Sequence, residues 1–128
     1  MEDIINSDLI NLKNLLKTNF KAKESKKFVK KFETEFSKKF NCKYGIACCN
    51  GTATLHGILM GMNIGNDDEV ITTPLTMSAT SLSILHSGAI PVFADVDKDT
   101  FQIDPKSIVE KITEKTKAIM VVSLYGLS

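Results

Sequence analysis

Residues 48–57 read CCNGTATLHG, and the fold turns on how Asn50-Gly51-Thr52 is understood. A short apolar run lies upstream, and downstream lies a helical pattern that itself contains glycine. In that pattern Leu55, Ile58, Leu59 and Met62 share one face, while Ala53, Gly57 and Gly61 share the opposite one. A glycine inside a helix costs about 1 kcal/mol relative to alanine, so two of them point to close backbone approach on that side. The expectation is a core helix packed on both faces, with Gly51-Thr52 at its amino end.

Working outward, residues 44–128 alternate between strand and helix signals. YGIACC (44–49) reads as a first strand, TATLHGILMGMN (52–63) as a helix and EVITT (69–73) as a second strand. Pro74 breaks that strand, a helix follows over 76–87 with Gly88 as its stop, and IPVFA (90–94) is a third strand. Asp104-Pro105 pairs an N-cap acceptor with a proline at the first helical position, which starts a helix over 106–113. AIMVVS (118–123) is a fourth strand. Such alternation implies right-handed crossovers and a mainly parallel sheet flanked by helices, an α/β class.

Ahead of this domain, residues 1–43 form an N-terminal helical segment. Ile5, Leu9, Leu12 and Leu16 stand at helical spacing over 4–18. Residues 21–43 hold nine lysines against three glutamates, with Phe28, Val29, Phe32, Phe36 and Phe40 on one arc. A basic amphipathic helix of this kind suits a membrane surface or nucleic acid. It equally suits a surface helix whose phenylalanines dock on the body while its lysines stay in water. Glu33 and Glu35 dilute the charge and favour the second alternative.

The totals exclude several classes. A formal charge of +1 with 43% hydrophobic residues is neither a disordered acidic chain nor a basic nucleic-acid binder. All sixteen basic side chains are lysines, so no guanidinium fork is available to grip a phosphate or carboxylate. Cys42, Cys48 and Cys49 fit no zinc spacing and are expected as buried thiols of a cytoplasmic protein. The uncharged stretch from Val70 to Ala94 is long enough for a membrane span, but its threonines, serines and prolines mark it as protein interior.

The amino end of a helix presents unpaired N–H groups and the positive pole of the macrodipole. Gly51 would let an anion approach the backbone, and Thr52 would add a hydroxyl donor, giving a phosphate cradle that needs no arginine. The plain alternative is a strand-to-helix turn with Thr52 as its cap. Neither G-x-x-x-x-G-K nor G-x-G-x-x-G is present, which counts against nucleotide hydrolysis and against a Rossmann-type dehydrogenase.

Several blocks, in order, resemble the DegT/DnrJ/StrS family of sugar aminotransferases. NGTATL resembles the family's Ser-Gly-Thr-Ala-Ala-Leu, and DEVITTPLTMSAT its Asp-Glu-Val-Ile-x-x-Pro-x-x-Thr-Phe-x-Ala-Thr. GAIPVFADVD, IDP, TKAIMVVSLYG and the lead-in FVKKFETEFSKKFNCKYGIACCNGT extend the likeness over about residues 5–126. Ser123 departs from the histidine usual before Leu-Tyr-Gly, and Ser25-Lys26-Lys27 stands where glycine is common.

The resemblance implies the N-terminal part of a fold-type I large domain that binds pyridoxal 5'-phosphate (PLP). Gly51, Thr52 and Ala53 would hold the cofactor phosphate. Met77 would cover the pyridine ring, where the family commonly has an aromatic residue. Asp95 and Asp97 match the family's Asp-Val-Asp but are expected to close a loop, and His56 and His86 to pack or face solvent. The implied reaction moves an amino group, with glutamate as donor, to a nucleotide-linked keto-sugar in polysaccharide biosynthesis. A dehydratase of the same family, or a non-catalytic module binding a phosphate-bearing ligand or a partner, stays open. A homodimer is also implied, with no nucleic-acid or membrane partner. In the family the Schiff-base lysine lies well downstream of Leu-Tyr-Gly, and no lysine here occupies that setting. The chain alone is therefore expected to be inactive, the N-terminal piece of a larger enzyme with no catalytic residue or metal site of its own.

Overall fold

The computed structural model describes residues 2–19 and 21–127. They form two compact units, Met1–Ala47 and Cys48–Ser128.

The first unit holds helices α1 (Glu2–Lys17) and α2 (Ala22–Lys39). The phenylalanines of α2 stack along the helix four residues apart: Phe32 and Phe36 centroids lie 5.6 Å apart, and Phe36 and Phe40 4.5 Å apart. These rings are about half exposed rather than docked out of water. Beside this stripe Lys31 pairs with Glu35 one turn on.

After α2 the chain doubles back. A Cβ on Gly45 would lie 2.6 Å from the backbone oxygen of Glu33, so only glycine fits there. The Glu33 carboxylate then accepts the Ala47 N–H at 2.8 Å. This corrects the sequence expectation: residues 44–48 form no strand. An apolar run becomes a strand only when a neighbour pairs its backbone, and here the Ala47 amide goes to a side chain.

The second unit runs α3 (Gly51–Gly61), β1 (Glu69–Thr72), α4 (Ala79–His86), β2 (Ile90–Phe93), α5 (Pro105–Lys111) and β3 (Thr116–Met120). Its sheet has the order β2-β1-β3, and both pairings are parallel. The alternation of β1 decides the layers. Val70 joins Leu59, Ile64, Ile84 and Ala89 under α3 and α4, with Ala118 and Met120 of β3 packed against them. Ile71 points the other way, into a cluster with Ala94 and Ile103 backed by Val92 and Ile108 of α5. The β1-to-β2 and β2-to-β3 crossovers share one hand but travel in opposite directions along the sheet, so α4 and α5 cover opposite faces.

The uncharged stretch supplies this interior. Val70, Ile71, Thr72, Ser83 and Ile84 are fully buried. The buried hydroxyls are bonded: Thr72 Oγ1 donates to the Met120 carbonyl at 2.9 Å and Ser83 Oγ to the Thr80 carbonyl at 2.7 Å. No described helix is long and apolar enough to cross a membrane. The α5 start forms as expected, with Asp104 accepting the Lys106 N–H at 2.9 Å and Pro105 in the first position. Gly88 ends α4 at φ +84°, where a Cβ would also collide with the Asn66 side chain. β3 begins two residues earlier than the apolar run, because the ladder opens with Glu69 N–H donating to the Lys115 carbonyl at 2.9 Å.

Candidate functional site at the amino end of α3

Asn50, with extended backbone, is the N-cap of α3; its side-chain oxygen accepts the Ala53 N–H at 2.9 Å. Its carbonyl accepts both the N–H and the hydroxyl of Thr54, each at 3.1 Å. The cap is therefore Asn50 and not Thr52, and no strand precedes it. Asparagine is among the strongest N-cap residues, so this role was readable from the sequence once the upstream strand was set aside. The first-turn amides of Gly51 and Thr52, with the Thr52 hydroxyl, have no hydrogen-bond partner among the described residues. The first turn of α3 carries no acidic side chain. Space in front of Gly51 is open, since a Cβ there would meet nothing within 4 Å. Two amides, one hydroxyl and the positive end of an eleven-residue helix form a donor set suited to a dianion.

The position of this end follows from the topology. α4 connects parallel strands β1 and β2, so it runs against them and starts at their carboxyl edge. The far ends of α3 and α4 lie together: a Cβ on Gly65, just beyond α3, would stand 3.3 Å from the carbonyl of Ser87, the C-cap of α4. The His56 and His86 rings meet edge-on with centroids 5.9 Å apart. Both helices thus end where β1 and β2 begin, and α3, packed over the sheet through Leu59, directs its start toward the carboxyl edge as well. In open α/β sheets ligands bind at that edge, near the point where the strand order reverses; here it lies between β1 and β3.

The other flagged residues fall as follows. Met77 precedes the Ser78 cap of α4 on the same edge and is 78% exposed. Asp97 closes the loop after β2. Its Oδ1 accepts the Thr100 amide at 2.8 Å and the Thr100 hydroxyl and Asp99 amide at 3.0 Å. The backbone bond from Thr100, then its hydroxyl and the Asp99 amide, hold the Asp97 carboxyl below its ordinary value. Asp95 caps its own loop, its amide donating to Ser107 Oγ at 2.8 Å and its carboxylate accepting the Val96 amide at 2.8 Å. His56 and His86 pack on each other. A shallow hollow between β2 and α5 is lined by Pro74, Phe93, Asp95, Ser107 and Lys111, none of them a residue expected to hold a ligand. Among the described residues no group of three or more His, Cys, Asp or Glu is placed to bind a metal.

Two expectations fail. Only Leu59 of α3 is fully buried, and a Cβ on Gly57 or Gly61 would meet nothing within 4 Å, so the small-residue face is open. The helix is packed on one face because the sheet and α4 lie only on that side. All three cysteines are exposed: Cys48 and Cys49 because 44–49 is not an interior strand, and Cys42 because it lies in the turn that follows α2.

The family model described as the DegT/DnrJ/EryC1/StrS aminotransferase family matches residues 2–128. The chain belongs to the DegT/DnrJ/EryC1/StrS aminotransferase family. Within that family it is 49% identical over 84 residues to the GDP-perosamine synthase of Caulobacter vibrioides, covering 66% of this chain and 23% of the relative. The structure of the aminotransferase from Psychrobacter cryohalolentis is similar at a TM-score of 0.72 and 46% identity, covering 78% of this chain and 25% of that one. A GDP-4-keto-6-deoxymannose-3-dehydratase, solved with a trapped PLP-glutamate geminal diamine, is similar at a TM-score of 0.67 and 29% identity, covering 75% of this chain and 26% of that one. The chain thus spans about a quarter of the length of the relatives it matches. Its fold is a portion of the fold-type I architecture, in agreement with the class expected from the sequence.

Proposed function

We propose that this chain supplies the phosphate-binding corner of a PLP-dependent enzyme that aminates a nucleotide-linked keto-sugar, with glutamate as donor. The observation that carries the proposal is the amino end of α3, with its two unclaimed amides, a hydroxyl, no acid and open space at the carboxyl edge of a parallel sheet. The Gly51 and Thr52 amides and the Thr52 hydroxyl would hold the phosphate dianion. The Ala53 amide would join them once it is released from Asn50. Met77, exposed at the start of α4, would lie over the pyridine ring through its polarizable thioether. The bound cofactor supplies the electron sink for chemistry at the amino-bearing carbon; this chain's share is to bind and orient it. The active enzyme in this proposal is a homodimer, and its amine-bearing lysine comes from outside these 128 residues.

The dehydratase alternative is kept by the similarity to a sugar 3-dehydratase, because the phosphate cradle serves both reactions equally. The test follows the Gly51 and Thr52 amide resonances while pyridoxal phosphate, or pyridoxal without its phosphate, is added. Shifts with the phosphate form alone, weakened in Thr52→Val, which keeps both amides but loses the hydroxyl, are the expected result. Equal shifts with both compounds, or none with either, would overturn the cradle.

A further inference from the structure

Cys48 and Cys49 are adjacent, both exposed, and stand two residues and one residue before the cap of α3. Their backbone belongs to no strand or helix, and their amides and carbonyls make no hydrogen bond to any described residue. Two neighbouring thiols with solvent access and an untethered backbone can meet without moving any distant segment of the fold.

We propose that Cys48 and Cys49 form an oxidant-sensitive pair, and that its closure to a vicinal disulfide releases the Asn50 cap and loosens the first turn of α3. The proposal is independent of the cofactor assignment. With a peroxide as oxidant, one thiolate sulfur attacks a peroxide oxygen. The O–O bond breaks, giving a sulfenic acid and, with one proton, water. The second sulfur attacks that sulfenic sulfur, and the S–O bond breaks. The departing hydroxide leaves as water with the second thiol's proton. Two thiols lose two electrons in all, and the peroxide gains them.

The geometry explains why closure reaches the helix. Adjacent Cα atoms stand about 3.8 Å apart across a trans peptide, whereas ordinary disulfides span about 4.4–6.8 Å. Ring closure must therefore twist the 48–49 peptide. The next residue is Asn50, whose side chain and carbonyl hold the amides of Ala53 and Thr54. Strained, exposed disulfides are the easily reduced ones, so the change reverses with a thiol reductant.

The experiment treats the 128-residue chain with hydrogen peroxide and follows intact mass, a peptide map and amide exchange. The expected result is a loss of two mass units mapped to Cys48–Cys49, reversed by dithiothreitol, retained in Cys42→Ser and absent in Cys48→Ser. Exchange of the Ala53 and Thr54 amides should rise roughly fivefold on oxidation, the size of a lost N-cap. In Asn50→Ala, Ala53 should already exchange at that faster rate, and oxidation should add nothing. A disulfide to Cys42, a link between two chains, or oxygen addition without loss of two mass units would each overturn the pair. A mapped 48–49 disulfide with unchanged exchange would overturn its effect on α3.

Discussion

Gly57→Ala separates two accounts of α3 by the sign of its effect. Gly57 lies mid-helix, and a Cβ built there meets nothing within 4 Å. With no contact to lose, alanine brings only its helix propensity and a less disordered unfolded chain, about 1 kcal/mol of stabilisation. If a neighbouring backbone needed the glycine, the added methyl would overpack and destabilise by about 1–3 kcal/mol. Urea unfolding followed by circular dichroism reads the difference. With a slope of about 1 kcal/mol per molar for a small domain, the midpoint should rise by about 1 M at unchanged slope. The melting temperature should rise by roughly 4–8 °C. A lowered midpoint would refute the open face.

Asn50→Ala should cost about 1 kcal/mol by removing the cap of α3, and Asn50→Asp should retain most of it; equal stability of all three in urea would contradict the cap. Ile84→Ala, at a fully buried position of α4, should cost about 2–5 kcal/mol, measured the same way; a loss under 1 kcal/mol would place Ile84 outside the core. Gly45→Ala should disturb the return of the chain against Glu33, and unchanged exchange of the Ala47 amide would refute that contact. Asp97, held below its ordinary value by Thr100 and Asp99, favours the folded state above the unfolded value of about 3.9. That contribution is lost as pH falls through the lower folded value, so Asp97→Asn should flatten the acid limb of stability below about pH 4. An acid limb identical to the parent's would refute it.

The α/β class was legible because its signals are local and independent: apolar runs at 69–73 and 90–94, the Asp104-Pro105 start and the Gly88 stop. The parallel order followed from their alternation. What the sequence did not reveal depended on neighbours. The run at 44–49 has strand-like composition, but whether it pairs depends on what lies beside it, and here the Ala47 amide goes to Glu33. The glycines of α3 indicated close approach, yet a missing side chain records only that space was left, not that these residues fill it. At the site, Gly51 and Thr52 were placed correctly at a helix start. The acceptor that organises them, Asn50, was passed over because Thr52 offered an equally plausible hydroxyl.

A single leucine, Leu59, is the one fully sunken side chain of α3. A helix packed on one face and sunk deepest near its carboxyl end tilts as a lever about that point, and its far tip, where Thr52 sits, moves most. Any surface that closed over Gly57 and Gly61 would stiffen that lever, and stiffening would tighten the grip on an anion at the tip without touching it. Assembly and ligand affinity would then rise together, each measurable as a change in the other.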